Sequence, residues 1–170
     1  DAPYVQFSSS SADDDTTGAS EGNGDGVVGP GETIELSVGL LNRGTLPAMG
    51  VSATLSTLEP FITVTDSVSD YGDIAVDSVR YGGYVFSVNP LIPLEARGIV
   101  FKLGITDIEG HAWSDTFSVV VETRAKIVLS PDSIGVEVPL GGKVDQTLTI
   151  QNAGDDTLTF KIKEGFPAPA

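Results

Sequence analysis

Residues 21 to 32 read EGNGDGVVGPGE, with oxygen-bearing side chains at the first, third, fifth and twelfth places (Glu21, Asn23, Asp25, Glu32) and Gly26 at the sixth. Calcium takes about six to eight hard oxygen ligands. An EF-hand loop supplies them from these same places, adds a backbone carbonyl at the seventh, and turns sharply on a glycine at the sixth. The spacing therefore predicts a calcium site formed by Glu21, Asn23, Asp25, the carbonyl of Val27 and Glu32. Val28 is the apolar residue such loops carry at the eighth place, Gly29 leaves the ninth ligand to water, and Glu21 is longer than the usual Asp. Gly, Asn and Asp are also ordinary turn residues, but five matching places argue for the metal. Upstream, Asp13, Asp14 and Asp15 are candidates to fold over and add ligands, against the plainer reading of a solvated acidic run in a Ser/Thr-rich tract.

The metal's expected role is structural. Carboxylates gathered into one loop repel one another until a cation joins them, so binding is linked to folding. Affinity is expected near about 10⁻⁴ to 10⁻³ M, the range of extracellular modules. On this reading Asp25→Ala or Glu32→Ala abolishes a calcium-dependent rise in melting temperature and leaves the metal-free protein as stable or more so.

Other chemistry finds little support. GASEG, residues 18 to 22, has the spacing of a nucleophile elbow, but Ser20 lies in an acidic tract with no helix signal after it. The single His111 sits at the foot of a strand beside the turn residues Asp107 and Glu109. Without a second His or a Cys it is read as a surface residue, not a zinc anchor or triad member. Trp113 has core parity, and Asp115 is expected at a sheet rim or bulge. Asp70, Asp73 and Asp77 are assigned to a loop around YGDI. No catalytic residue is expected, and GNGDGVVG opens no helix that would make it a phosphate cradle.

The elements that must position the loop read as strands. Ile34, Leu36, Val38 and Leu40 alternate with polar residues immediately after it, and Pro30 and Gly31 rule out an exiting helix, so the loop precedes a strand. Val51, Ala53 and Leu55 repeat the period of two, Ile62 with Val64 and Tyr84 with Phe86 and Val88 form further strands, and Ile99 to Ile105 pairs with Trp113 to Val121 as a hairpin across TDIEGH. With PYVQF at the start, about seven strands separated by Gly, Pro, Asn and Asp turns predict an immunoglobulin-like sandwich. PYVQF is read as the first strand of its own domain or as a segment donated to a neighbour through the polar tract that follows it.

A second unit follows Glu122. Strands are expected at its opening, through Ile134, Val136 and Val138, and through Leu148, Ile150, Leu158, Phe160 and Ile162. Val38, Leu40, Asn42 and Gly44 recur in kind as Leu148, Ile150, Asn152 and Gly154, an echo of one architecture. The all-β chain is thus divided into an N-terminal strand and acidic linker (1–21), a calcium-binding immunoglobulin-like sandwich (22–123), a second, incomplete immunoglobulin-like sandwich (124–165) and a C-terminal linker (166–170). A half-built sandwich exposes a sheet face and an edge, and the expected remedy is a strand from another chain, giving a homo-oligomer or polymer.

Charge and composition bound the partners. The chain has 170 residues, 24 acidic against 9 basic, a net charge of −15 and no cysteine. That balance repels nucleic acid and anionic lipid and favours cations. Disulfides and thiolate sites are excluded, no apolar run reaches the length of a membrane span, and DAPYVQF lacks a signal peptide's positive start, so an exported form would be a processed one.

GNGDGVVGPGETIELSVGLLNRG, with VSATLST, YGDI and ITDIEGHAWSDTF, resembles the calcium-binding immunoglobulin-like accessory modules of bacterial and archaeal secreted and cell-surface proteins, including those appended to subtilisin-like and gingipain-type proteases. Residues from Ser130 onward are similar to another sandwich module of such surface proteins. The resemblance implies an extracellular or cell-surface location, a calcium-stabilised sandwich and no catalysis. Two functions are expected from it: a structural subunit of a filament or surface layer joined by strand exchange, or an accessory segment of a larger secreted hydrolase.

Overall fold

The structure is a computed structural model, and it describes residues 1–93, 96–122, 125, 127–138, 140–153 and 156–163. The chain divides into two units, Asp1–Thr123 and Arg124–Ala170. Among the described residues it is all-β, with no helix.

Unit 1 contains eight strands: β1 Val5–Asp13, β2 Thr33–Asn42, β3 Ala48–Thr57, β4 Ile62–Asp66, β5 Val68–Ile74, β6 Val79–Val88, β7 Arg97–Thr106 and β8 Ala112–Val121. They form two antiparallel sheets, β1-β2-β6-β4 and β5-β3-β7-β8. The period of two sets which residues lie between them. Ile34, Leu36, Val38 and Leu40 of β2 and Ile99, Phe101, Leu103 and Ile105 of β7 are all buried, while their alternates face outward. Each such side chain contributes about 1.5–3 kcal/mol on burial. The two faces meet ring to ring: Phe86 of β6 and Phe101 of β7 lie 5.1 Å apart, and Phe7 of β1 stacks on Phe117 of β8 at 4.7 Å. This is a β-sandwich.

Polar groups in the core are matched. The Tyr71 and Tyr84 hydroxyls lie 3.2 Å apart and reach the carbonyls of Val38 and Ala53. Burial pushes both phenols above their ordinary value. Asn42, fully buried, donates to the carbonyls of Leu46 and Ile74 and accepts the N–H groups of Tyr4 and Gly44, which ties the first residues of the chain to the end of β2.

Two strand assignments need correction. Residues 8 to 13, expected as linker, continue β1, which pairs with β2 of its own unit beyond a bulge between Phe7 and Ser9. Their side chains are exposed, so only the backbone ladder defines the strand and no apolar alternation betrays it. Asp70 and Asp73, expected in a loop, lie on β5, where register breaks around Gly72 (φ 63°) disrupt the period of two. The β7–β8 hairpin has the expected parity: Phe101 faces Phe117 and Ile105 faces Trp113. Asp115 stands opposite Leu103 on the edge strand, and its carboxylate accepts the Phe7 N–H of the other sheet at 2.9 Å.

In unit 2, β9 Ile127–Ser130 pairs with β10 Thr149–Asn152. The strands expected through Ile134, Val136 and Val138 and through Leu158, Phe160 and Ile162 are absent; among the described residues these segments pair with nothing regular. A β-strand exists through its ladder, and these segments form none, either with each other or on the free edges of the β9–β10 pair. Ile127, Ile134, Val136, Val138, Phe160 and Ile162 are exposed. Gly154 and the linker expected at 166–170 lie outside the described residues.

Candidate metal centre

The 21–32 loop is closed at its base by an antiparallel pair, Glu21 N–H to the Thr33 carbonyl at 2.8 Å and Thr33 N–H to the Glu21 carbonyl at 3.0 Å. Inside it the polar side chains hold the backbone. Glu32 is buried, and its two carboxylate oxygens accept the N–H groups of Asn23 (3.1 Å) and Gly29 (2.7 Å). The Asn23 side-chain oxygen accepts the Asp25 N–H at 2.9 Å, and Asp25 Oδ1 accepts the Val27 N–H at 3.0 Å. These successive hydrogen bonds curl the chain tightly, and Gly26, at φ 83°, supplies the left-handed residue at the sixth place. Asp25 Oδ2 is buried and has no hydrogen-bond partner.

The acidic run divides in three. Asp14 lies against the loop: its carbonyl accepts Gly24 N–H at 3.0 Å and its carboxylate accepts Gly26 N–H at 3.0 Å. The Asp15 carbonyl accepts Gly22 N–H at 2.9 Å. A Cβ at residue 22 would overlap the Asp14 carbonyl, so glycine is required there for the approach. The Asp15 carboxylate turns away from the loop to Thr17 and Ser20, and those hydrogen bonds hold its carboxyl below the ordinary value. Asp13 ends β1 beside Glu35 and, with Glu35 and Asp66, lines a groove on the outer face of the first sheet. Glu21 is exposed at the rim. The structure thus brings Asn23, Asp25, Glu32 and Asp14 into one hydrogen-bonded loop with the Val27 backbone, and leaves the Asp13 and Asp15 side chains outside it. Ser20, far from free, is buried with its hydroxyl within 3.0 Å of Asp15 and 2.7 Å of the Thr17 carbonyl.

A second group of ligand atoms was not anticipated. Asp107, Glu109 and His111, at the tip of the β7–β8 hairpin, offer ligand atoms that all lie within 4.8 Å of one another, and the group could hold a metal ion. Asp107 has a fully buried side chain whose Oδ1 accepts the N–H groups of Glu109 and His111 and whose Oδ2 lies 2.7 Å from His111 Nδ1. Burial pushes the Asp107 carboxyl up, but the hydrogen bonds from His111 and Glu109 outweigh it and hold it below the ordinary value. His111, read from the sequence as a surface residue, is partly exposed, with 39% of its side chain accessible, while its ring pairs with Asp107 and stacks on Trp113 at 5.8 Å. The signal was present as D-x-E-x-H, where alternate residues of a tight turn converge.

The sequence matches no described protein family and no curated protein. Among solved structures, the chain is similar to the sporulation control protein Spo0M from Bacillus subtilis at 16% identity and a TM-score of 0.37, over 73% of this chain and 51% of that one. The chain thus spans about half the length of Spo0M, and a likeness at this level carries no argument. Among the described residues no helix is long and apolar enough to cross a membrane.

Proposed function

We propose that the protein is a non-catalytic, extracellular or cell-surface structural module whose immunoglobulin-like sandwich is stabilised by calcium at the 21–32 loop. The observation that carries this reading is Asp25 Oδ2, a buried carboxylate oxygen without a partner, in a loop whose other oxygens have EF-hand places. A buried polar oxygen without a partner is costly, and a cation at that oxygen removes the cost. Glu59 Oε1 is also buried without a partner, but its carboxylate already forms an ion pair with Arg97 at 2.6 Å. Asn23, Asp25, Glu32, Asp14 and the Val27 carbonyl would hold the ion, with Glu21 closing in from the rim. Hard oxygen donors alone suit calcium better than a transition metal. Two facing antiparallel sheets of four strands support the immunoglobulin-like assignment.

Assembly is the proposed use. The exposed apolar residues of unit 2 and the unpaired edges of the β9–β10 pair favour completion by a strand of another copy, as in a filament or surface layer. A second reading, an accessory module of a larger secreted hydrolase, is favoured by β1, which pairs within its own unit and leaves unit 1 with a closed core. Calorimetric titration and thermal melting with calcium or chelator test the site. The parent chain is expected to bind and to melt higher with calcium, and Asp25→Ala to do neither; an equal response in both rejects it. Size measurement in calcium separates the uses: chelator-sensitive polymers support assembly, a stable monomer the accessory module.

A further inference from the structure

The 21–32 loop touches more of the sandwich than the strand it precedes. Gly31 N–H donates to the Val88 carbonyl at 3.0 Å, and Val88 N–H donates to the Glu32 carbonyl at 2.8 Å, which fastens the loop to the end of β6. On the opposite sheet, Val28 forms a parallel bridge with Val121, the last residue of β8, and Glu122 N–H donates to the Val28 carbonyl at 3.0 Å. The loop therefore spans both sheets at one end of unit 1. At its eighth place it holds the point where the chain leaves the last strand of that unit.

The chemistry of that junction couples it to the metal. The Val27 carbonyl, the backbone ligand of the proposed site, and the Val28 N–H belong to one planar peptide group. A cation that orients the Val27 carbonyl thereby orients the start of residue 28, whose own carbonyl receives Glu122. Val27 and Val28 are both buried, so their backbone has little freedom to adjust independently. Val121 is buried and also paired with Arg97 of β7, so the bridge acts on the residue just beyond it, and strand ends are the parts of a sheet that open first.

Resting on the calcium reading above, we propose that the ion acts as a lock on the end of β8, so that loss of calcium releases the backbone at Glu122, just past the strand, while the core between the sheets stays folded. Because coupling between two events is reciprocal, breaking the bridge must weaken calcium binding by the same factor by which calcium strengthens the bridge.

Hydrogen exchange resolved to single amides tests the lock on the parent chain. Calcium is expected to slow exchange of the Glu122 amide about tenfold or more and to leave the Asn42 amide, at the far end of β2 from the loop, unchanged. Glu122→Pro, which lacks the N–H, is expected to bind calcium several-fold more weakly than Glu122→Ala, which keeps it. If titration shows calcium binding but Glu122 exchange does not change, or Glu122→Pro and Glu122→Ala bind alike, the lock is overturned and the calcium site stands. If titration shows no calcium binding, both are overturned.

Discussion

At the tip of the β7–β8 hairpin each oxygen of Asp107 already faces a hydrogen-bond donor, whereas in the 21–32 loop one oxygen of Asp25 is buried and faces none. Both regions are short, acidic and placed beside strand ends. In the hairpin a single fully buried carboxylate gathers two backbone N–H groups and an imidazole, and the turn is complete as it stands. In the loop, oxygens of Glu32, Asn23, Asp14 and Asp25 each accept a backbone N–H, while the second oxygen of Asp25 is buried with no partner. Convergence of acids and engagement of their lone pairs are thus separate properties, and the two regions divide them.

Three substitutions or conditions test that distinction. The largest effect is expected from Glu32→Ala measured in calcium. It leaves the N–H groups of Asn23 and Gly29 without their acceptor, costing about 2 kcal/mol, and, on the proposed calcium reading, it also removes an ion whose contribution at a concentration 100 times its Kd is about 2.7 kcal/mol. Chemical denaturation should show the first loss in chelator as well. This corrects the expectation that Glu32→Ala spares the metal-free protein, because Glu32 is a structural acceptor as much as a ligand. A metal-free variant as stable as the parent would contradict it.

Asp107→Ala should come next, at about 2–3 kcal/mol for a buried acceptor of three hydrogen bonds. The loss should be the same in calcium and in chelator. A loss that appears only when a metal ion is present would turn the hairpin from a staple into a binding site. The smallest effect concerns acid. Asp107 is held below its ordinary value of 3.8 in the folded chain, so its stabilisation is fully present above pH 3.8 and is lost as the pH falls through the lower folded value. Asp107→Asn should flatten this arm of the pH–stability curve, and an unchanged acid limb would show that other carboxylates dominate it.

The same contrast explains what could be read in advance. The parity of β2, β3, β6, β7 and β8 was legible because each buries alternate residues, and the period of two is written directly in side-chain type. The second half of β1 and the whole of β5 were not, since an exposed edge and a bulged strand carry their order in backbone hydrogen bonds that any residue can make. Alternation in unit 2 misled for the converse reason: Ile134, Val136 and Val138 have the pattern of a strand, but among the described residues none provides its ladder partner. At the candidate site, the places of Asn23, Asp25 and Glu32 were legible as spacing, while the separation of Asp14 from Asp13 and Asp15 depended on how β1 ends against the loop.

Sequence alone determined an all-β chain with an oxygen-rich turn ahead of its first long internal strand, because side-chain alternation and turn chemistry are local properties. Tertiary structure decided which oxygens already have donors and which carboxylate of an acidic run meets the loop. It also brought the end of β8, remote in sequence, to the carbonyl of Val28, since backbone groups pair across distances that no local pattern records.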